Sequence, residues 1–394
     1  MVGGFNESTV FKHSIAYIRK NGYLNYNYKI QGDFDMILCG DVCATYITEE
    51  YFEKCDVKSL FGDVIDVFAN AERVIINLEC AITDSDNAIK KFGPNLKAPV
   101  NMAKALKMAG VTDCGLSNNH TFDFGIKGLN DTIKALDDNG IFWTGVGKTE
   151  EDSRKNHIIE TEGKRIAVVA VCEHEYTYAL ANRMGARPYD PYDTMEDIRN
   201  AAEEADYVVV MYHGAKEYSA VPSPRVRKLC RAMIKHGANL VLTQHSHCIG
   251  CHEKYFGGEI VYGTGNFHFV KYIDNIEFNR GIMIKLDISN GFEITYIPVV
   301  ATNTGIRLAD ERERKEILDA FEKVSLTLHN GNWLKLWHDF CESNSELYNN
   351  VVKNTYLAAD DNTHRELFAH FLDCEAHTDV WRELFKTWNH TNET

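Results

Sequence analysis

Seven side chains of metal-ligand or acid–base type each follow on a short apolar run: Asp41, Glu79, Asn119, His120, His213, His245 and His247. Carboxylates, imidazoles and an amide together suit one or two ions of Mn, Fe or Zn. Ca and Mg prefer sites that are nearly all oxygen. Any one of these histidines read alone is more often a hydrogen-bonded core or surface residue than a ligand. Their repeated placement is what carries the reading.

That placement has a physical basis. In an open α/β sheet, residues leaving the carboxyl ends of neighbouring strands converge on one rim, where ligands bind. The run 36–39 leads into Gly40-Asp41, the run 74–76 into Asn77-Leu78-Glu79, and the run 113–116 into Ser117-Asn118-Asn119-His120. Further on, 207–212 delivers His213 and 239–243 delivers Gln244-His245-Ser246-His247. Each run has the length of a buried strand. Five strand ends therefore converge on one predicted site.

In order and spacing these strings, with Asp123, Gly125, Glu217-Tyr218 and Tyr262-Gly-Thr-Gly-Asn266-Phe267, resemble the bacterial capsule-synthesis proteins called CapA. That family is associated with poly-γ-glutamate and lies within the calcineurin-like metallophosphoesterase superfamily. The resemblance spans most of the first 300 residues. It implies an α/β fold, a four-layer αββα sandwich of metallophosphoesterase type, with a dinuclear centre on one edge. By matching motif, Asp41 and His247 would hold one metal, Asn119, His213 and His245 the other, and Glu79 would bridge both. His120 would be the general acid, and Asp123 would orient the Asn119 amide or cap the helix that follows. Two ions roughly 3.5–4 Å apart can clamp an anion and acidify a bridging water. One departure matters: the superfamily usually has a histidine two residues after its first aspartate, where this chain has Cys43.

Candidate substrate-binding residues at the same rim are Lys97, Lys216 and Arg225, with Glu217 beside Lys216. Two other motifs dissolve on inspection. Cys248-Ile-Gly-Cys251-His252 has the letters of a c-type haem attachment site, but nothing supports export, and a zinc ribbon would need a second close cysteine pair. Gly145-Val-Gly147-Lys148-Thr149 ends like a phosphate-binding loop, yet Phe142 stands where its first glycine belongs. A short strand near 141–143 and a glycine-rich turn suffice.

The chain divides into a polar lead-in (1–32), a CapA-like domain (33–307) and a helical C-terminal extension (308–394). Amphipathic patterns predict helices at 100–108, 128–138, 195–204 and 224–236. Asn290-Gly291 between 281–289 and 292–299 predicts a hairpin. Beyond Leu308, Trp333, Trp337, Phe340, Phe368, Phe371, Trp381, Phe385 and Trp388 recur at helix-like intervals. They predict a face packed on the main domain or on a second subunit. The histidines His329, His338, His364, His370, His377 and His390 show no convergence with carboxylates and are not assigned to metal.

The chain has 394 residues, 44% hydrophobic and 25% charged, which is ordinary soluble-domain composition. A net charge of −15 argues against nucleic-acid binding but not against an anionic small molecule or polymer, since bound metals dominate local charge. Eleven scattered cysteines read as free thiols. Neither a secretory signal nor an apolar stretch of about 18 residues is visible, so a cytoplasmic location without a membrane span is expected. The expected function is a metal-dependent hydrolase of CapA type acting on a phosphate ester, or on a γ-glutamyl or other anionic cell-envelope precursor. The alternative is a metal-binding assembly or binding protein without turnover.

Overall fold

The computed structural model describes residues 35–386, apart from 162, 174–175, 273, 290 and 358–361. The predicted lead-in, Asn290, Trp388 and His390 lie outside the described residues.

Two mixed sheets form the centre. In the first, the order is Ile306–Leu308, Glu293–Ala301, Arg280–Asp287, Asp35–Val42, Arg73–Leu78, Asp113–Gly115, Phe142–Thr144. Asn266–His268 adds itself to the end of Asp35–Val42 in parallel. In the second, the order is Ile249–Tyr255, Gly258–Thr264, Leu240–Gln244, Tyr207–His213, Lys164–Cys172, His157–Thr161. The inner strands of this second sheet run parallel, while its two edge strands are antiparallel.

Strand alternation explains the layering. Met36 and Leu38 face one way and pack with Ile166, Val168, Val209, Met211 and Leu242 of the second sheet. Ile37 and Cys39 face the other way, against Phe52, Phe61, Leu106 and Leu136 of covering helices. Successive strand residues point to opposite faces, so a strand buried on both sides reads as continuously apolar. On the far side of the second sheet, Val169, Val210 and Val241 meet Ile198, Met233, Trp333, Trp337 and Phe371. The result is helix, sheet, sheet, helix.

The helices follow their sequence signals closely: Met102–Ala109, Gly125–Asp138, Asp193–Glu204 and Pro224–Lys235. The last begins where Ser223 accepts from the amide of Val226 and proline takes the first turn, a pre-organised start. The predicted hairpin is present as Arg280–Asp287 paired antiparallel with Glu293–Ala301. Beyond it come Glu311–Asn330, Trp333–Ser343, Ser345–Leu357, Asn362–Asp373 and Glu375–Leu384. Trp333, Trp337 and Phe371 are buried and Phe340, Phe368 and Trp381 partly buried on the second sheet's outer core, whereas Phe385 is exposed. All eleven cysteines are free thiols. Among the described residues, no helix is long and apolar enough to cross a membrane.

His252, last of the haem-like letters, has a structural task. Its Nδ1 lies 2.9 Å from Glu259 and its Nε2 3.0 Å from Glu322 of Glu311–Asn330, and its ring stacks on Phe321. Burial alone would lower its pKa, but the two carboxylates outweigh that and push it up to about 9. A raised imidazole pKa stabilises the fold fully below about pH 6.5, and that contribution is lost as pH climbs through about 9. Denaturant titration of wild type against His252→Gln should therefore show a gap on the order of 2 kcal/mol at pH 6 that closes by pH 9.5. A gap independent of pH would mean that the imidazole acts by packing alone.

Candidate metal centre

Both sheets deliver side chains to one rim. Asp41 is the last residue but one of Asp35–Val42, Glu79 follows Arg73–Leu78, and Asn119 lies beyond Asp113–Gly115; in the second sheet His213 ends Tyr207–His213, and His245 and His247 follow Leu240–Gln244. Register aligns them, with Asp41 opposite Asn77 on one side and Asn266 on the other. That second pairing needs Gly40, since a Cβ there would stand 2.4 Å from the Gly265 carbonyl oxygen. The amide of His245 donates to Asp41 Oδ2 at 3.0 Å, tying the two sheets together at this edge.

The six proposed ligands do meet. One atom each from Asp41, Glu79 and His213 lies within 4.8 Å of the others, and the same holds for Glu79, His245 and His247. Glu79 belongs to both clusters. His213 Nε2 is 3.3 Å from Glu79 Oε1 and 2.8 Å from Asn119 Oδ1, while His247 Nδ1 is 3.8 Å from Asp41 Oδ2. The resemblance groups Asp41 with His247, and His213 with His245; the tight clusters instead group His213 with Asp41 and His245 with His247.

A cation fits this donor set. Glu79 is fully buried, and neither of its carboxylate oxygens has a well-aligned hydrogen-bond donor, the His213 Nε2 at 3.3 Å being off-line. A buried carboxylate without such donors is costly unless a positive charge faces it. Burial works against the Glu79 charge, but the imidazoles of His213 and His247 hold its carboxyl well below the usual range. Asp41 moves the other way, pushed up to about 7 by burial and then by the Glu79 charge. Burial lowers His213 and His245, favouring the neutral imidazoles that ligate metals. His245 and His247 also adopt left-handed φ values of 86° and 51°. Such conformations cluster at functional sites.

Amides support these ligands. Asn77 Nδ2 lies 2.7 Å from Asp41 Oδ1 and 3.0 Å from His213 Nδ1. Asn266 donates through Nδ2 to the Phe278 carbonyl, which turns its Oδ1 to His247 Nδ1 at 2.9 Å. The Nδ1 proton is then held by the amide, and Nε2 presents its lone pair to a ligand position. Asn266→Ala should weaken transition-metal affinity about 10–100-fold with the fold intact, read by competition against a chromophoric chelator. Wild-type affinity would show that this amide does not orient His247.

His120 stands beside the clusters and belongs to neither. Its Nδ1 is 2.6 Å from Asp123 Oδ2. Asp123 thus grips the ring of His120 and not the Asn119 amide, which corrects the orienting role expected for it. Nor does it cap the next helix, whose first residue follows Phe124 without a side-chain cap. Lys91, which the sequence reading passed over, is buried here: it pairs with Asp123 and lies 3.2 Å from both the Asn119 carbonyl and His120 Nδ1. Burial, and then the Lys91 charge, lower the His120 pKa.

The expected anion ligands part company. Glu217 Oε1 approaches His245 Nε2 at 3.9 Å, and Lys216 lies next to it, largely buried. Lys97 instead bonds Asp86 and the Ser85 carbonyl. Arg225 pairs with Glu173 and, at 3.0 Å, with Asp379 of Glu375–Leu384, so it fastens the C-terminal helices. Cys43 turns its thiol to the Ala44 carbonyl at 3.1 Å, and burial pushes its pKa well up, away from the thiolate a metal would need.

A family model described as bacterial capsule synthesis protein PGA_cap matches residues 35–271. The capsule biosynthesis protein CapA of Bacillus anthracis is 30% identical over 243 residues, 59% of this chain and 59% of that protein. The PGA biosynthesis protein CapA of Bacillus subtilis is 30% identical over 295 residues, 73% of this chain and 77% of that protein. Among solved structures, a putative 5'-nucleotidase from Staphylococcus aureus in complex with alpha-ketoglutarate is 12% identical with a TM-score of 0.44, covering 73% of this chain and 58% of that one.

Proposed function

This chain belongs to the bacterial capsule synthesis protein family, and from that premise we propose that it is a metal-dependent hydrolase. Its substrate would be a phosphate ester, or a γ-glutamyl or other anionic cell-envelope precursor. The observation that carries the reading is Glu79, a buried carboxylate shared by two ligand clusters with no well-aligned hydrogen-bond donor on either oxygen. Asp41, Glu79, Asn119, His213, His245 and His247 would hold one or two transition-metal ions. Divalent ions there, when bound, supply Lewis acidity toward an anionic group and a water of lowered pKa. His120, as the imidazolium, would give its Nε2 proton to the leaving oxygen and be left as the neutral ring whose Nδ1–H Asp123 holds. Lys216 would attract a substrate anion.

The second reading, a binding or assembly protein that keeps the metal and has no turnover, draws on Cys43. A protonated thiol pointing at Ala44 leaves the Asp41 side with one ligand fewer than the wider superfamily has. Elemental analysis of fresh protein, paired with aryl phosphates, phosphodiesters and γ-glutamyl peptides, separates the two. The hydrolase reading expects one to two ions per chain and turnover that a chelator abolishes. Metal without turnover on any of the three substrates would favour the assembly reading.

A further inference from the structure

The helix Asn362–Asp373 reaches the loop that carries Lys91. The His370 ring stacks on Phe92 with centroids 5.3 Å apart and on Tyr176 at 5.9 Å. Tyr176 in turn approaches the Phe92 amide with its hydroxyl at 3.4 Å, and Glu366, one helical turn before His370, pairs with Lys90. From the inner side, the same loop is fastened to Asp123. The Ile89 amide donates to the Asp123 carbonyl at 2.8 Å, the Leu96 amide donates to Asp123 Oδ2 at 2.6 Å, and Lys91 pairs with that carboxylate. Asp123 holds His120. The loop 89–96 is thus clamped between the general acid and a helix lying far outside the 35–271 span that matches the family model.

We propose that His370 is a positioning residue for His120: stacked between Phe92 and Tyr176, it seats the 89–96 loop so that Lys91 and Asp123 keep the acid aligned. The proposal rests on the hydrolase reading for its effect on rate. Its geometric half stands apart from that reading. The exposed Lys90–Glu366 pair contributes little on its own, so the rings carry the contact.

The test uses the full metal-loaded chain with His370→Ala and His370→Phe. Hydrogen exchange at the Ile89 and Leu96 amides should quicken in His370→Ala and remain near wild type in His370→Phe, because phenylalanine restores the stack without the imidazole. With an aryl phosphate, His370→Ala should lower kcat about 10–100-fold at unchanged KM and metal content, since small misplacements of an acid are expensive. His370→Phe should recover most of it. The proposal is overturned if exchange at both amides ignores the alanine change, if phenylalanine fails to restore protection, or if metal is lost along with rate. Should the wild type hydrolyse nothing, the hydrolase reading falls while exchange still decides the clamp.

Discussion

His120→Ala should keep wild-type metal content and lose about 10²–10⁴-fold in kcat, the range a positioned general acid contributes. The expectation follows from where the ring sits. His120 is outside both ligand clusters, and its Nδ1–H is held by the Asp123 carboxylate at 2.6 Å, which leaves Nε2 as the atom that takes up and gives away the imidazolium proton. Removing the ring leaves the Lys91–Asp123 pair in place, so the loop and its hydrogen bonds persist. Metal content and kcat measured on one sample check this. Metal loss as deep as that of His247→Ala would place His120 among the ligands and overturn its role as acid.

Glu79→Ala should be the most damaging change to metal binding, because it removes a ligand from both clusters at once. Its effect should exceed the roughly 10–100-fold that an outer supporting residue costs. Turnover should fall to background with it. A thermal readout gives independent evidence: an ion at a thousand times its dissociation constant stabilises the folded chain by about 4 kcal/mol. Wild type should therefore melt several degrees higher with metal than with chelator, and Glu79→Ala should show no such difference. A variant that keeps the metal-dependent rise would move the shared position to another residue.

How much of this site could be read in advance depended on the kind of signal. Asp41, Glu79, His213 and His245 announce themselves because each directly ends or follows a strand buried on both faces, whose residues must be continuously apolar. Ser223 and Pro224 mark a helix start by the same local logic. Lys91 offers no comparable cue, since it sits in an irregular stretch and reaches Asp123 only through the path of the loop. Asn266 was visible as part of a motif, yet its grip on His247 depends on the bulged parallel pairing with Asp35–Val42, a long-range event. The strand Lys164–Cys172 also escaped notice: although apolar, it ends on Glu173, which bonds Arg225 and the Ala215 amide and is not in either ligand cluster. Arg225 misled for the converse reason. An arginine near a rim reads as an anion ligand, but a distant helix supplies its acidic partner, Asp379.

The two left-handed histidines have a bearing on the life of the protein in a cell. A non-glycine residue in that conformation costs roughly 1–2 kcal/mol, so the turn carrying His245 and His247 is a burden to the bare polypeptide and an anchor once an ion is gripped. A newly made chain in metal-starved conditions would consequently open more often at this edge than its well-filled interior suggests.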